Sequence, residues 1–548
     1  MAVSSVRKQA SIATLAVSGS RVAGLVREMV FAFFFGAGPA LDAFIAAFRI
    51  PNLLRDLFSE GALSNAFVTV FSKKAVKEGD RAAWDLANRV FGFVAVVLGL
   101  VTLLGIYFSP WIVHAVASGF TGEKFQYTVW LNRVLFPFIL FVSFAAIAMG
   151  MLNTRGKFAL PQSASTFFNV TSIVTGLLFA YLLEPEGMRH SFALLMNQSG
   201  EKMVSWEAAS RALTGMAIGT LLGGVVQWVV QMPAAHKLGF RFRPTVDFKD
   251  EGLRQVLKLT GPAIIGGAAV QVNVLVNTNF ASYLADGSIA WLNFAFRLMQ
   301  FPIGVFGVAI ALATAPAVAR LAAQNDPENF KKTLRESIQL TLFLCIPSAL
   351  GLVLLAQPIM ALIYQHGQFT ASDTHQAALA LMAYSVGLTG YALIKVYQPA
   401  YLAHHDAKTP MLVSLLSIGI NFGMNWLFVF VLHFAHWGLA LGTSCVAIWD
   451  ILLLSILFRK KLPQIWTKTL LKQGLKILSA ALLSCLAGWL TCHQLSARFG
   501  NEGVFLQLLL VFPPIGVTVL FYYFFCSRLG VNEVTVMREW IKKKFRSS

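Results

Sequence analysis

The chain has 548 residues, of which 57% are hydrophobic and only 13% charged. A water-soluble domain averages about 25% charged residues, so this composition excludes one and describes a chain that crosses a membrane repeatedly. The formal net charge of +19 sits mainly in short connections between apolar runs, which points to membrane orientation and away from nucleic acid.

Apolar runs long enough to span a hydrocarbon core of about 30 Å recur from end to end. Hydropathy, broken by Gly, Pro and charge, predicts about fourteen helices: 10–35, 40–71, 86–108, 128–152, 158–183, 208–232, 256–284, 288–320, 335–362, 375–402, 411–433, 436–458, 470–492 and 503–526. Arg7 and Lys8 before the first run imitate a signal peptide, but Arg21 and Arg27 interrupt that run, so it reads as a retained first helix. With the N-terminus in the cytoplasm, the even-numbered connections carry the basic residues, among them Lys73, Lys74, Arg155, Lys237, Arg241, Arg243, Lys331, Lys332, Arg459 and Lys461. The opposite connections hold little beyond Lys124, Arg189, Lys202 and Arg498. Both termini are therefore expected inside. The tail, with Arg538, Lys542, Lys543, Lys544 and Arg546 beside Trp540 and Phe545, reads as a basic interfacial helix, with a solvated tail as the alternative. Five cysteines (Cys345, Cys445, Cys485, Cys492 and Cys526) form no CxxC and read as small hydrophobes rather than disulfides or metal ligands.

The chain also repeats itself. Ala47-Phe48-Arg49 before Pro51 recurs as Ala295-Phe296-Arg297 before Pro302, and Pro110-Trp111 and Phe120-Thr121 recur as Pro358-Ile359 and Phe369-Thr370. Lys157, Pro161 and Asn169 are echoed by Lys408, Pro410 and Asn421. The offset stays at about 250 residues, and six helices separate equivalent points. Two halves of the same orientation follow, with a site expected between them. The fold class is thus an all-α polytopic membrane protein with about 14 transmembrane helices, in two pseudo-symmetric six-helix lobes plus two C-terminal helices. The divisions are 1–235 (helices 1–6), 236–462 (helices 7–12), 463–527 (helices 13 and 14) and 528–548 (basic cytoplasmic tail).

One stretch stands out. Between Ser20 and Phe67 an otherwise apolar hairpin carries Arg21, Arg27, Glu28, Asp42, Arg49, Arg55, Asp56 and Glu60. A charged side chain at the bilayer centre costs about 2.5–3.5 kcal/mol or more, so these groups must pair, face a bundle interior or watery cavity, or meet a polar ligand. Residues seven apart share a helix face, which groups Arg21 with Glu28 and Asp42 with Arg49 and Asp56. Pro51 is expected to kink the second helix, and Arg297 is the repeat counterpart of Arg49. Two roles stay open: arginine–carboxylate pairs that lock helices together, or guanidinium forks for a phosphate-bearing headgroup.

Other polar groups carry weaker signals. Lys395 reads as a second-lobe contact or a snorkelling cation, Arg133 and Arg211 as snorkelling, and Asn273, Asn277 and Asn279 as bonds between helices or a cation site. His404-His405-Asp406 is expected to be a solvated turn, and Asn197-Gln198-Ser199 is an uninformative glycosylation pattern. No phosphate-binding GxxxxGK[ST] loop, HExxH or GxSxG is present, so neither ATP-driven transport by this chain alone nor enzymatic chemistry is expected.

The segments SRVAGLVRE, FGAGPALDAF, FRIPNLLRDLFSEGALSNAF, FRLMQFPIGVFGVAI and AYSVGLTGYALIKV resemble the MurJ (MviN) lipid II flippase family, of the multidrug/oligosaccharidyl-lipid/polysaccharide exporter superfamily. The resemblance spans essentially the whole chain. It implies two lobes around a central cavity, helices 13 and 14 forming a groove for a polyprenyl tail, and alternating access in a bacterial cytoplasmic (inner) membrane. The cargo it implies is lipid II, an undecaprenyl-diphosphate-linked saccharide-peptide, carried from inner to outer leaflet; the superfamily alternative is a multidrug cation or polysaccharide-lipid exporter. Positions matching the family's functional residues are Arg21, Arg27, Glu28, Asp42, Arg55, Glu60 and Arg297, with Arg27, Glu28 and Arg297 as the diphosphate group; Arg49 is added from the residue pattern. Two positions depart: Phe296 stands where many relatives carry an acid, and Asp56 replaces the second arginine of an Arg-Arg pair. The chain is further read as a monomer among membrane lipids, without nucleic acid, metal or cofactor, coupled to the membrane potential or to a sodium or proton gradient.

Overall fold

The computed structural model describes residues 2–57, 63–195, 205–463, 465–500 and 503–535. Among them the regular structure is helical throughout. In chain order the helices are α1 (Ala2–Phe35), α2 (Pro39–Leu57), α3 (Leu63–Glu78), α4 (Asp80–Tyr107), α5 (Ser109–Val116), α6 (Gly122–Leu135), α7 (Phe138–Thr154), α8 (Ala159–Leu183), α9 (Pro185–Leu195), α10 (Trp206–Val229) and α11 (Met232–Lys237). They continue as α12 (Glu251–Ala281), α13 (Ser288–Pro302), α14 (Val308–Ala323), α15 (Pro327–Leu354), α16 (Ala356–Tyr364), α17 (Ala371–Ala403), α18 (Lys408–Trp426), α19 (His436–Arg459), α20 (Lys468–Phe499) and α21 (Val504–Arg528). Wider π-helical turns, Ile303–Gly307 and Leu427–Val431, follow α13 and α18.

Among the described residues every predicted span lies mainly on helix, and eleven helical stretches are long and apolar enough to cross a membrane. The protein is a polytopic membrane protein. The basic tail beyond residue 535, Asn197-Gln198-Ser199 and Glu60 lie outside the described residues. Cys345, Cys445, Cys485, Cys492 and Cys526 carry free thiols.

The described chain forms two compact units. The first comprises residues 1–290 with 366–369, the second residues 291–365 and 370–548. Compactness thus groups α12 with the first unit, whereas the repeat assigns that span to the second half of the chain. Within the first unit α12 lies along α2, α3, α4 and α5.

The first unit's core is aromatic. Phe67, Phe71, Trp84, Phe91, Phe144 and Phe240 pack with Met151 and Leu152, joining α3, α4 and α7 to the segment after α11. That segment is held by Asn88 of α4, whose Nδ2 donates to the Arg241 carbonyl at 3.0 Å and whose Oδ1 accepts from the Arg243 N–H at 2.8 Å. Asp250 caps α12 through the Leu253 N–H at 2.8 Å and pairs with Arg89. The basic connection predicted to orient the chain is therefore also an ordered part of the unit.

Helices α8 and α10 approach closely because glycine lines their contact. A Cβ on Gly219 would stand 2.4 Å from the Gly176 backbone, and one on Gly215 would stand 2.1 Å from the Ala180 nitrogen. In an apolar solvent, where burial supplies no drive between helices, this close fit supplies the attraction. Gly36 ends α1 at φ +62°, a conformation that L side chains seldom adopt, and a Cβ there would meet the Gln368 carbonyl at 2.7 Å.

Pro51 stands inside α2 and removes the N–H that would have bonded the Ala47 carbonyl. Asn132 of α6 supplies the replacement: its buried Nδ2 donates to the Ala47 oxygen at 2.8 Å. Its Oδ1 accepts from Ser109 at 2.9 Å. The predicted break is thus repaired by a side chain from a neighbouring helix.

Asn132→Ala should lower stability by about 1–3 kcal/mol, because it leaves a buried carbonyl without a donor. Gly219→Val should cost about as much by forcing α8 and α10 apart. Thermal unfolding of the detergent-solubilised variants checks both.

Candidate functional site

The charged hairpin is built on α1 and α2. Helix α1 lies along α8, and this contact shapes the surroundings of its charges. Arg27 is largely buried, with its guanidinium carbon 5.3 Å from the centre of the Phe168 ring of α8. Its Nη2 donates to Oε1 of buried Glu28 at 3.2 Å. An aromatic face on one side and a carboxylate on the other are two of the few environments that hold a guanidinium among apolar side chains. Arg21, one turn and a half earlier, is exposed.

On α2, Asp42 is buried to 1% exposure. Its Oδ2 accepts the Gly287 N–H at 2.7 Å and its Oδ1 the Ala290 N–H at 2.9 Å, so it caps the first turn of α13. Lys124 lies 3.5 Å from Oδ2, bonds Asp286 at 2.6 Å and stands 4.1 Å from the centre of the Phe120 ring. These contacts make Asp42 a fastening between separate segments of the first unit. Arg49 is half-buried.

Arg55 is turned onto its neighbour. Its Nε and Nη2 donate to Asp56 Oδ1 at 3.1 and 2.8 Å, and Asp56 Oδ2 accepts from Gln271 of α12 at 3.1 Å. A second arginine at position 56 would have doubled the positive charge; aspartate makes the pair neutral and ties it to α12. In the second unit, Arg297 is exposed on α13, and Phe296 packs on Tyr384 with ring centres 5.3 Å apart.

The structure brings Arg27 to Glu28 and Arg55 to Asp56, and places Asp42 with Lys124. The partners Phe168, Lys124 and Gln271 escaped the reading of the sequence. Each arrives from a different helix, and an isolated Phe, Lys or Gln carries no local signal of the charge it will meet.

Two expectations outside the hairpin change, and one is met. The turn after α17 is more than solvated: the His404 ring packs against both Phe330 and Phe458, with ring centres 4.8 and 5.7 Å away. Burial and the nearby Lys461 charge push His404 below the usual histidine range. Asp406 accepts from Thr409 at 2.9 Å (N–H) and 2.7 Å (hydroxyl), and from Lys461 at 3.0 Å. Burial raises its pKa, but these donors together outweigh it and hold the carboxyl at about 2, below the usual 3.8. Arg211 does not simply snorkel, since its Nε bonds Glu184 at 2.6 Å. Asn279 takes the helix-joining role, donating to the Ala115 carbonyl at 3.0 Å and to Ser118 at 2.7 Å. Lys395 and Arg133 are exposed.

Comparison with known proteins gives one consistent family. The MurJ family, described as lipid II flippase MurJ, matches residues 31–511. A probable lipid II flippase MurJ of Vibrio cholerae is 36% identical over 444 residues, covering 79% of each chain. Lipid II flippase MurJ of Burkholderia cenocepacia is 33% identical over 459 residues, covering 82% of this chain and 84% of its own. Among solved structures, an inward closed conformation of lipid II flippase MurJ matches with a TM-score of 0.73 at 26% identity, covering 94% of this chain and 99% of that one. An inward-facing MATE-family multidrug transporter of the MOP superfamily matches at 0.65 and 14% identity over 83% of this chain and 98% of its own, a likeness of fold alone.

Asp42→Ala should destabilise the protein by about 3 kcal/mol, because two backbone donors and a lysine lose their acceptor; Asp42→Asn should cost less. Thermal unfolding ranks the two. Because folding lowers the Asp406 pKa, that residue's contribution is full above about pH 4 and is lost as pH falls through about 2. The stability gap between wild type and Asp406→Asn, followed by acid titration, should close across that window.

Proposed function

The chain belongs to the MurJ family, and we propose that it is a lipid II flippase, carrying the lipid-linked peptidoglycan precursor from the inner to the outer leaflet of the bacterial cytoplasmic membrane. It acts as a transporter and catalyses no covalent step. The observation that carries this reading is a guanidinium–carboxylate pair, Arg27 with Glu28, embedded in an apolar helix of a chain whose relatives are named for this activity.

The physical task is to move a sugar-diphosphate headgroup through hydrocarbon while the polyprenyl tail stays in lipid. An unpaired ion resists burial by several kcal/mol or more. Guanidinium groups lower that barrier by replacing water with fixed bidentate donors. In this reading Arg27, Glu28 and Arg297 bind the diphosphate, Arg21, Arg49 and Arg55 extend the basic surface, and Asp42 and Glu60 complete the carboxylate set. Their contacts favour a division of labour among them: Asp42 fastens α13, and Asp56 screens Arg55 until a stronger anion competes.

The lobes rock about their shared axis and expose the headgroup alternately to each side, with both termini in the cytoplasm and α20 and α21 guiding the tail. A membrane potential negative inside favours outward passage of the anionic headgroup by about 2.3 kcal/mol per charge per 100 mV.

Purified protein in proteoliposomes should move lipid II between leaflets. Arg27→Ala and Arg297→Ala should each abolish that movement while inserting at wild-type levels. Transport at the wild-type rate by both variants would refute the diphosphate role, and drug efflux indifferent to Arg27 would favour a multidrug exporter instead.

A further inference from the structure

The repeat gives each half of the chain a short turn at the same place: residues 117–120, between α5 and α6, and residues 366–369, between α16 and α17. Each turn is seated on the end of the first helix of the other half. All the segments involved belong to the first compact unit, which takes in residues 366–369 from beyond residue 290.

The first turn sits on the end of α12. The Gly119 N–H donates to the Ser282 hydroxyl at 2.9 Å, and Asn279 donates to the Ala115 carbonyl at 3.0 Å and to Ser118 at 2.7 Å. The hydroxyls of Ser118 and Tyr283 lie 2.9 Å apart. The second turn sits on the end of α1. The Gln368 N–H donates to the Phe33 carbonyl at 2.8 Å, and Gln368 Nε2 lies 3.4 Å from the Ser191 hydroxyl of α9. Phe120 and Phe369, counterparts in the repeat, are both buried. Gly119 is therefore the counterpart of Gln368, and the equivalent backbone N–H crosses to the other half in both places.

Both seats are close enough to need glycine. A Cβ on Gly119 would overlap the Ser282 carbonyl, and one on Gly367 would overlap the Phe33 carbonyl. Backbone against backbone leaves no long side chain to bridge a widening gap, so bonds of 2.8 and 2.9 Å are lost within about 1 Å of separation. Such a contact is either seated or open, as packed interfaces tend to be. The ends of α1 and α12 and both turns each follow an odd number of predicted spans, so they lie at one face of the membrane.

We propose that the two turns form a reciprocal latch: seated, they close the face away from the termini, and both lift when the cargo leaves on that side. Parting the halves at this face breaks the two seats together, because both contacts cross the same division. The latch also accounts for the grouping of α12 and residues 366–369 with the first unit. It rests on the flippase reading for its cargo and for which face is outside, but the seating of the turns does not.

The test uses the full chain with its five native cysteines changed to alanine. A short bifunctional thiosulfonate joining Ser118→Cys to Asn279→Cys should stop lipid II transport in proteoliposomes, and reductant should restore it. Transport at the unlinked rate after linking would overturn the latch. A wedge in one seat should also open the other. Gly119→Ala should raise several-fold the labelling of Gln368→Cys by an impermeant maleimide added to intact cells, and Gly367→Ala should do so for Ser282→Cys, since both reporter positions are buried. Labelling unchanged by either wedge would overturn the coupling of the seats, and labelling only from the cytoplasmic side would overturn the outward assignment. Should the wedged variants not fold, the cross-link decides alone. If wild type moved no lipid II, the flippase reading would fall while the labelling still decided whether the latch opens.

Discussion

Hydrocarbon will not hold an isolated ion, and the organisation of this protein follows from that constraint. Each charge for which contacts are described in the first hairpin has a defined chemical partner. Arg27 is set between Glu28 and the Phe168 ring, Arg55 against Asp56, and Asp42 among two backbone amides and Lys124. These arrangements differ in consequence. The Asp42 site is fully buried and joins distant segments, so it belongs to the architecture. Arg27 and Glu28 are neighbours on one helix, and it is the Phe168 ring that brings α8 to their pair.

The same economy applies to the backbone. Every buried carbonyl in a span needs a donor, and at Pro51 the protein supplies one where helix geometry fails. Asn132 serves the carbonyl that Pro51 leaves open, and Ser109 in turn serves Asn132. Where no polar group is required, attraction between helices comes from closeness, and glycine at 176, 215 and 219 lets α8 and α10 nearly touch. Polar repair and small-residue packing are the two devices by which this bundle holds together without a hydrophobic drive.

Position 56 shows how one residue redirects a basic site. Aspartate there neutralises Arg55 and reaches Gln271 on α12. The local field of the hairpin is consequently weaker than an arginine pair would make it. Phe296, packed on Tyr384, likewise replaces a possible carboxylate by aromatic surface beside Arg297.

The membrane-spanning helices were legible in the amino-acid sequence because each needs its own apolar run, a local property that survives any arrangement of neighbours. The family was legible for a related reason: its motifs are contiguous, as in SRVAGLVRE and FRIPNLLRDLF. Residue partnerships were not. That Asp42 meets the amides of 287 and 290, that Asn132 answers Pro51, and that His404 packs on Phe330 and Phe458 depend on helices far apart in the chain. Periodicity tells which side of a helix a charge occupies, but not what stands opposite. Composition decided that the charges had to be compensated; only packing decided which atoms compensate them, because a hydrogen bond is specified over a few ångströms and the sequence carries no distances between segments.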